Sequence, residues 1–280
     1  SDVYKRQVKI LVFTGGLGNQ IFAYAFYLYL KRLFPQEQFY GLYGKKLSEH
    51  YGLEIDKWFK VSLPRQPWWV FPVTGLFYLY KQCVPNSKWL DLNQEICKYP
   101  KAIVFFPFKF TKKYIPDDNI WLEWKVDESG LSEKNRLLLS EIRSSDCCFV
   151  HVRRGDYLSP TFKSLFEGCC TLSYYQRALK SMKEICPSVK FVCFSDDIQW
   201  VKQNLELGNR AVFVDWNSGT DSPLDMYLMS QCRYGIMANS TFSYWGARLG
   251  RKKNRIYYPE KWWNHGTGLP DIFPNTWVKI

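Results

Sequence analysis

Three things that the sequence lacks exclude several classes of protein. The nine cysteines include no C-x-x-C pair, which excludes a zinc ribbon and a thioredoxin-type redox motif. Only three histidines occur, and no two of them stand at a metal-ligand spacing. The most apolar long stretch, residues 68–80, has 13 residues and contains Pro72 and Gly75, whereas a membrane-spanning helix needs about 20. We therefore expect residues 68–80 to form a core segment or an interfacial loop.

The cysteine pattern and the start of the chain bear on location. The cysteine number is odd, and Cys147–Cys148 and Cys169–Cys170 are adjacent pairs, which are poor disulfide partners for each other. We expect reduced thiols and a cytoplasmic protein. We expect no secretory signal peptide at the start of the chain. Residues 1–7 show no helix or strand pattern and are expected to be an unstructured leader.

The composition is that of a folded, basic protein. The chain has 280 residues, of which 46% are hydrophobic and 18% aromatic. This content supports real cores and excludes general disorder, and the length suits two domains. Lysine and arginine exceed aspartate and glutamate by 38 − 26 = 12. Such an excess fits nucleic acid, an anionic membrane surface or a phosphorylated small molecule as the partner.

Alternating strand and helix patterns predict an α/β fold with parallel sheets. VKILVFTGG (residues 8–16) is typical of a buried parallel strand, and LGNQIFAYAFYLYLKRLF follows as a largely buried helix. From residue 146 strands and helices alternate to the end, with a helix capped near Ser173 among them. We predict two Rossmann-like halves, residues 8–145 and 146–280. Residues 40–125 read as short helices joined by loops.

The glycine-rich turn GGLGNQ (residues 15–20) joins the first strand to the first helix. It lacks the Lys-Ser/Thr ending of a P-loop, and Ile21 stands where a dinucleotide fingerprint needs a third small residue. Two interpretations stay open. The segment is either a plain tight turn or a loop whose amides, with Asn19 and Gln20, approach a phosphate or a sugar.

Two adjacent arginines, Arg153 and Arg154, follow the apolar run at residues 147–152. Ligands of open α/β sheets bind beyond the carboxyl ends of the strands, and guanidinium groups suit a diphosphate without a metal. Pairing with surface carboxylates is the alternative. Asp156 is either a catalytic base or a buttress for an arginine. His151 either bonds a nucleoside or is a satisfied core histidine.

Two further strand ends carry polar side chains. Asp196 and Asp197 end the predicted strand VKFVCFSDD, where a carboxylate either accepts N–H bonds from a guanine edge or caps the next helix. In ANSTFSYWGARLG, Ser240, Thr241 and Ser243 lie where a strand meets a helix. Hydroxyls and free backbone amides are therefore expected to converge on an anion site there.

No two aspartates stand two positions apart anywhere in the sequence. The Asp-x-Asp metal clamp of many nucleotide-sugar enzymes is therefore missing. We expect no metal, and neutralisation of a diphosphate by arginine, lysine and helix dipoles instead.

Four segments, GGLGNQIFAYAF, HVRRGDY, FSDDIQW and LMSQCRYGIMANSTFSYWGARL, resemble the α-1,2-fucosyltransferase family of bacteria and animals. They occur in the family's order from Val8 to about Trp263, with a divergent stretch between about residues 45 and 125. The H-x-R-R-x-D pattern is shared with α-1,6- and protein O-fucosyltransferases, whereas GGLGNQ together with ANSTFS-aromatic-WGA is specific to the narrower family. Tyr244 stands where the family usually has a tryptophan.

The resemblance implies a GT-B architecture, with two Rossmann-like domains facing each other across a cleft. It implies inverting transfer of L-fucose from GDP-β-L-fucose to the 2-hydroxyl of a terminal galactoside, with no cofactor and no metal. Residues 8–145 would bind the acceptor and residues 146–280 would bind GDP-fucose. The expected acceptor is a galactose-terminated oligosaccharide or a lipid-linked glycan, as in O-antigen synthesis.

Motif correspondence also assigns roles to residues. Arg153 and Arg154 would hold the GDP diphosphate, His151 would help to seat the nucleotide, Asp196 or Asp197 would read guanine, and Ser240 and Thr241 would complete the phosphate site. Beside these, we predict that Asp156 acts in catalysis with the two arginines and that Asn239 and Ser243 belong to the donor-binding residues. The acceptor side of the cleft would carry Gly16, Gly18, Asn19 and Gln20.

Two alternatives remain at this point. One is a fucosyltransferase of another linkage, such as α-1,6. The other is a nucleic-acid-binding protein, suggested by the net charge of +12 and by RLGRKKNR at residues 248–255, although the motif set argues against it. We expect no nucleic-acid partner and a bacterial, cytoplasmic enzyme. Peripheral contact with the inner face of the membrane is compatible with that function, because acceptors on lipid carriers lie there.

Overall fold

The computed structural model describes residues 7–44, 47, 50–84, 90–91, 101–106, 110–116, 121–265 and 268–280. The chain forms two compact units, Ser1–Val126 and Asp127–Ile280. Of the expected leader at residues 1–7, only Gln7 lies within the described residues.

The first unit contains a parallel sheet of four strands. The strands are β1 (Val8–Phe13), β2 (Gln38–Tyr43), β3 (Leu90–Asp91) and β4 (Val104–Phe105), in the order β2-β1-β4-β3. The prediction of β1 followed by a buried helix is confirmed, since α1 spans Leu17–Leu33. The prediction of only short helices and loops for residues 40–125 was wrong, because β3 and β4 lie in that range. Each of these strands has two residues, too few to produce a period-2 pattern.

Two further helices of the first unit are α2 (Ile55–Trp58) and α3 (Val70–Cys83). The apolar stretch at residues 68–80 therefore forms most of a helix. Val70 is fully buried in a cluster with sheet residues, and Val73 and Phe77 pack against that cluster. Among the described residues, no helix is long and apolar enough to cross a bilayer.

The second unit is a six-stranded parallel sheet with helices between its strands, as predicted from residue 146 onward. Its strands, in the order β10-β9-β8-β5-β6-β7, are β5 (Cys147–Val152), β6 (Lys190–Ser195), β7 (Val212–Val214), β8 (Tyr234–Ile236), β9 (Arg255–Tyr258) and β10 (Val278–Lys279). Its helices are α4 (Glu133–Ser144), α5 (Pro160–Phe166), α6 (Leu172–Ile185), α7 (Ile198–Asn204), α8 (Pro223–Gln231) and α9 (Thr241–Arg248).

The strand order creates a switch point between β5 and β8. The chain moves from β5 outward to β6 and β7, and then crosses to the other side of β5 to form β8, β9 and β10. Every residue of β5 is buried, as expected of a central strand covered on both faces. Helices on the two sides of a switch point diverge and leave a crevice beyond the strand ends, where ligands of such sheets bind.

Two boundaries differ from the predicted ones. The second unit begins at Asp127 rather than at residue 146, so α4 belongs to it. The physical reason is that α4 packs against α8 and that Arg143 of α4 pairs with Glu128. The cap of α6 is Thr171, whose hydroxyl accepts the Tyr174 N–H at 3.2 Å, rather than Ser173.

Candidate active site

Three parallel strands of the second unit end at nearly the same level beside the switch point. Val152 of β5 is in register with Ser195 of β6, and Val150 of β5 is in register with Ile236 of β8. The residues that follow these strands are therefore neighbours. The structure brings together the arginine, aspartate and serine motifs, which are separated by about 40 residues each in the sequence.

Arg153 is held by two carboxylates. Its Nε donates to Oδ1 of Asp156 at 3.0 Å and lies 3.3 Å from Oδ2 of Asp196. About a third of the side chain, 35%, is exposed. Burial acts to lower the pKa of Arg153, but Asp196 and Asp156 outweigh it and raise the pKa above its ordinary value. The guanidinium is therefore a fixed cation whose position depends on these two aspartates.

Arg154 is fixed at three points. Its backbone N–H donates to Oδ1 of Asp196 at 2.8 Å, and its Nε donates to Oδ2 of Asp197 at 3.0 Å. Its guanidinium carbon lies 4.1 Å from the centre of the Trp200 ring, a cation–π distance. Trp200 was not among the site residues predicted from the sequence. The available signal was its position in the first turn of α7, three residues after an aspartate at a strand end.

Asp197 also caps α7. Its Oδ1 accepts the Trp200 N–H at 3.1 Å, and this bond, followed by that from Arg154, lowers the pKa of the carboxyl. Of the two roles left open for the aspartate pair, capping is thus observed for Asp197, while Asp196 bridges the two arginines.

Gly155 allows Asp196 to approach the backbone. A Cβ atom at Gly155 would lie 2.9 Å from Oδ2 and 3.2 Å from Cγ of Asp196. Such contacts are too close for ordinary side chains, so any larger residue would displace the carboxylate. This requirement was not recognised from the sequence, although the glycine lies inside the arginine motif.

His151, near the end of β5, is buried, with 6% of its surface exposed. Burial, followed by the charge of Arg153, lowers its pKa to about 3, so the imidazole is neutral at physiological pH. Its backbone carbonyl accepts the Tyr175 hydroxyl at 3.1 Å. Its Nδ1 has no hydrogen-bond partner among the described residues. A satisfied core histidine would have a hydrogen-bond partner for Nδ1, and His151 has none among the described residues.

Two predicted site residues in the turn between β8 and α9, Asn239 and Ser243, make hydrogen bonds that stabilise the turn. Asn239 is 1% exposed. Its Nδ2 donates to the Trp262 carbonyl at 2.9 Å, and its backbone carbonyl accepts the Tyr157 hydroxyl at 2.9 Å. The fully buried Ser243 accepts the Ala238 N–H at 3.1 Å. These contacts fix the position where α9 starts.

Ser240 and Thr241 lie at the start of α9 itself. Ser240 is the N-cap residue, but its side chain makes no capping hydrogen bond. The first turn of α9 thus has no side-chain cap of its own, and N–H groups in such a turn bind anions well. Tyr244, the departure from the family pattern, is buried and donates its hydroxyl to the Ile272 carbonyl at 3.1 Å.

The glycine-rich turn of the first unit is occupied by internal hydrogen bonds. Gln20 is fully buried; its Nε2 donates to the carbonyls of Gly15 and Gly52 at 3.0 and 2.9 Å, and its Oε1 accepts the N–H of Glu54 at 2.9 Å. Gly15 has φ +76°, a backbone that favours glycine. Gln20 therefore ties the turn to residues 52–55.

The remaining residues of this turn differ in exposure. Gly18 is buried in the first turn of α1, while Gly16 and Asn19 are partly exposed. The N–H of Asn19 donates to the Gly16 carbonyl at 2.9 Å. Gly16 and Asn19 are accordingly the two predicted acceptor-side residues with accessible surface.

The basic run at residues 248–255 is used in part to cap helices. Lys253 donates to the carbonyls of Ser230 and Cys232 at 2.6 and 2.7 Å, at the end of α8. Arg251 lies 3.4 Å from the carbonyl of Ile142 in α4. These hydrogen bonds satisfy carbonyls at helix ends, which gives this run a structural role, although burial lowers the pKa of Lys253 to about 7. In the described part of the chain, no group of three or more His, Cys, Asp or Glu side chains could hold a metal ion.

Comparison with known proteins shows which family this chain resembles. The model of glycosyl transferase family 11 matches residues 85–280. An O-antigen biosynthesis glycosyltransferase, WbnK, of Escherichia coli is 25% identical over 95% of this chain and 98% of its own length. An alpha-1,2-colitosyltransferase of Escherichia coli is 27% identical over 95% and 97%. A galactoside alpha-(1,2)-fucosyltransferase 1 of Rattus norvegicus is 25% identical over 84% and 61%.

A solved structure agrees with the architecture. The Arabidopsis thaliana FUT1 mutant R284K in complex with GDP superposes with a TM-score of 0.50 at 14% identity, covering 92% of this chain and 72% of that one. The likeness shows the fold, which is GT-B. Because the family model covers well over half of the chain, including every residue of the arginine and serine motifs, the protein belongs to glycosyl transferase family 11.

Proposed function

We propose that the protein is an inverting galactoside α-1,2-L-fucosyltransferase, which moves L-fucose from GDP-β-L-fucose to the 2-hydroxyl of a terminal galactoside. Membership of family 11 and relatives named as alpha-1,2-transferases support this function. The observation that carries it is the pair Arg153 and Arg154 beside the start of α9, at the switch point of the second sheet. The second unit is accordingly the donor-binding domain and the first is the acceptor-binding domain.

The donor's diphosphate binds the arginines and the first turn of α9. A guanidinium has five N–H groups. Asp197 engages Arg154 through Nε, which leaves terminal N–H groups for phosphate oxygens. Negative charge develops on the β-phosphate as the fucose–phosphate bond breaks. Cations already in position stabilise that charge without reorganisation, and this is the role of Arg153 and Arg154 in catalysis.

The charge of the strand-end cluster makes the aspartates part of donor recognition. Arg153 and Arg154 face Asp156, Asp196 and Asp197, which gives two positive and three negative charges. A diphosphate approaching this cluster must be compensated by further donors. The amides at the start of α9 are such donors. The aspartates have a separate role, in which Asp196 or Asp197 accepts N–H bonds from the guanine edge. His151 contributes a neutral imidazole next to Arg153.

Asp156 has two candidate roles, base and buttress. Its Oδ1 accepts from Nε of Arg153 at 3.0 Å, which supports the buttress. A base would have to release that bond or share it with the acceptor hydroxyl. We assign Asp156 to positioning Arg153 during catalysis. A variant that keeps the hydrogen-bonding shape, Asp156→Asn, should then retain more activity than Asp156→Ala.

The acceptor is proposed to be a galactose-terminated oligosaccharide or a lipid-linked glycan met in the cytoplasm. A relative named for O-antigen biosynthesis, similar over nearly its whole length, supports the lipid-linked form. Gly16 and Asn19 are the exposed part of the acceptor-side turn, while Gly18 and Gln20 hold that turn in shape. No cofactor is required, and transfer proceeds without a metal.

A second candidate donor has a specific observation in its favour. The relative that is 27% identical over 95% of this chain is named as an alpha-1,2-colitosyltransferase. Fucose and colitose differ at one ring position, where colitose lacks a hydroxyl. Initial rates with the two GDP-sugars and one galactoside acceptor separate these donors, because a site that hydrogen-bonds the hydroxyl rejects the deoxy sugar strongly.

The test of the proposed function uses three arginine variants. Arg153→Ala and Arg154→Ala should lower the transfer rate from GDP-fucose by roughly 10²–10³-fold each, as for a lost oxyanion donor, and weaken GDP binding in calorimetry. Arg233→Ala is the matched control, because Arg233 pairs with Asp146 at 3.1 Å, is 39% exposed and lies at the amino end of the strands. NMR of the product identifies the linkage. Equal activity of all three variants, or an α-1,6 product, would refute the assignment.

A further inference from the structure

The outer face of α3 is apolar and exposed. Its side chains include Phe71, Leu76 and Leu79, which are 64%, 66% and 65% exposed, and Trp68 just before the helix is 85% exposed. Tyr78 and Tyr80 flank them at 51% and 44%. Leu76 is three residues from Leu79 and four from Tyr80, spacings that place side chains side by side on a helix. Together these side chains make one continuous surface, the α3 outer face.

The helix is apolar on its inner face as well. Val70 is fully buried and Val73 and Phe77 pack on the sheet cluster, while Trp69 contacts Tyr40 at 4.7 Å between ring centres. A helix that is apolar all round is ordinarily covered on every side. Here the sheet packs on the inner half, and the side chains of the outer half are exposed among the described residues of this unit.

The chemistry around this face indicates what covers it. Residues 57–90 contain no aspartate or glutamate, and their charged residues are Lys57, Lys60, Arg65, Lys81 and Lys88. Lys60 is paired with Glu123, and Arg65 is exposed. The combination of exposed leucine and phenylalanine, tryptophan and tyrosine beside them, and only basic charge in the surrounding sequence matches a surface for anionic lipid.

We propose that the α3 outer face docks the enzyme on a bilayer containing anionic lipid, with α3 lying in the plane of the interface. The helix has 14 residues and is therefore about 21 Å long, shorter than the roughly 30 Å hydrocarbon core. It inserts its apolar face to the depth of the headgroup boundary and does not span. Trp68, Tyr78 and Tyr80 occupy the headgroup level, as aromatic side chains do at membrane interfaces.

This docking goes beyond the proposed function and stands independently of it, because it uses residues outside the candidate active site. It has a functional consequence nevertheless. A glycan on a lipid carrier is confined to the same surface, so a docked enzyme meets it in two dimensions, whereas a soluble galactoside is met from solution either way. Membrane docking should therefore matter for carrier-linked acceptors and not for soluble ones.

The experiment is sedimentation of the full chain with vesicles of phosphatidylcholine and phosphatidylglycerol in equal parts, compared with phosphatidylcholine alone. The wild type should pellet with the mixed vesicles and less with the neutral ones, and added salt should weaken the binding. Leu76→Ser combined with Leu79→Ser should reduce the vesicle affinity by roughly tenfold per leucine. Leu137→Ser is the matched control, since Leu137 of α4 is also 65% exposed and should leave vesicle affinity unchanged.

Further readouts separate docking from loss of fold and from self-association. The double variant should keep the wild-type melting temperature and its rate on a soluble galactoside. Should it fail to fold, Leu79→Glu serves instead and should abolish binding to the mixed vesicles. Quenching of Trp68 by brominated lipid, measured against Trp68→Phe, should place that ring at the interface.

Two results overturn the proposal. One is vesicle binding by the double variant equal to that of wild type. The other is a wild type that does not bind vesicles but forms a concentration-dependent dimer in light scattering, together with dissociation of that dimer by the same substitutions. The α3 outer face would then bind a second copy of the chain. Absence of fucosyl transfer to the soluble galactoside would refute the proposed function and leave the vesicle result standing.

Discussion

Substitution of Gly155 by alanine tests whether Asp196 organises the arginine pair. The new Cβ would lie 2.9 Å from Oδ2 of Asp196, so the carboxylate must move. It would then lose its hydrogen bond from the Arg154 backbone N–H, at 2.8 Å, and its ion pair with Arg153, at 3.3 Å. A hydrogen bond to a charged group contributes about 2 kcal/mol. If the transition state depends on that geometry, kcat/KM for the donor falls by roughly 30-fold.

The assay is the initial transfer rate from GDP-fucose to a soluble galactoside, with the melting temperature measured in parallel. Gly130→Ala is the matched control in the same unit, because its Cβ would meet its nearest neighbour, Asp127, at an ordinary 3.6 Å. Gly155→Ala and Asp196→Ala act through one contact, so the double variant should be no slower than Asp196→Ala alone. Wild-type kinetics for Gly155→Ala would refute the reasoning. So would a loss of activity that follows a fall in melting temperature, or losses that simply add in the double variant.

Three further predictions concern acid stability, backbone strain and metal. Hydrogen bonds from Arg143 and, to a smaller extent, from Tyr227 lower the pKa of Glu128 to about 2. The stability that the Glu128 carboxylate contributes is therefore fully present above its unfolded pKa of about 4.3 and is lost as the pH falls toward 2. Glu128→Gln should therefore lower the melting temperature at pH 7, with a difference that shrinks below pH 4; a constant difference would contradict this. Gly250→Ala, at φ +74° and with a Cβ 2.5 Å from the Ser230 carbonyl, should cost more than about 1 kcal/mol in denaturant unfolding, and an unchanged midpoint would show that the turn relaxes. Transfer should survive excess EDTA, and a complete loss restored by Mn²⁺ would disprove the metal-free mechanism.

The prediction of the site came from short segments whose meaning is local. An apolar strand that ends in charged or hydroxyl residues places those residues at the carboxyl edge of a parallel sheet, whatever the strand order. Arg153, Asp196 and Ser240 were selected in this way, and the register of β5 with β6 and β8 makes them neighbours. Their contacts with one another could not be predicted, because rotamers and ion pairs depend on packing across elements.

Other features had no local signal. Trp200 contacts Arg154 because α7 follows β6, the strand that pairs with β5, so that the start of α7 lies beside the end of β5. The close approach of Asp196 to Gly155 joins residues that are 41 positions apart. The hydrogen bonds that join Gln20 to Gly52 and Glu54 likewise link residues far apart in the sequence.

The sequence by itself determined the α/β class, the β1–α1 turn, the alternation after residue 146 and the chemistry at the strand ends, because hydrophobic period, glycine and capping residues act within a few positions of the chain. Only the tertiary structure decided the strand orders, the switch point beside β5, the unit boundary at Val126 and Asp127, and the exposure of the α3 outer face. These depend on which surfaces meet, and an apolar side chain carries the same local signal whether the fold covers it or leaves it exposed.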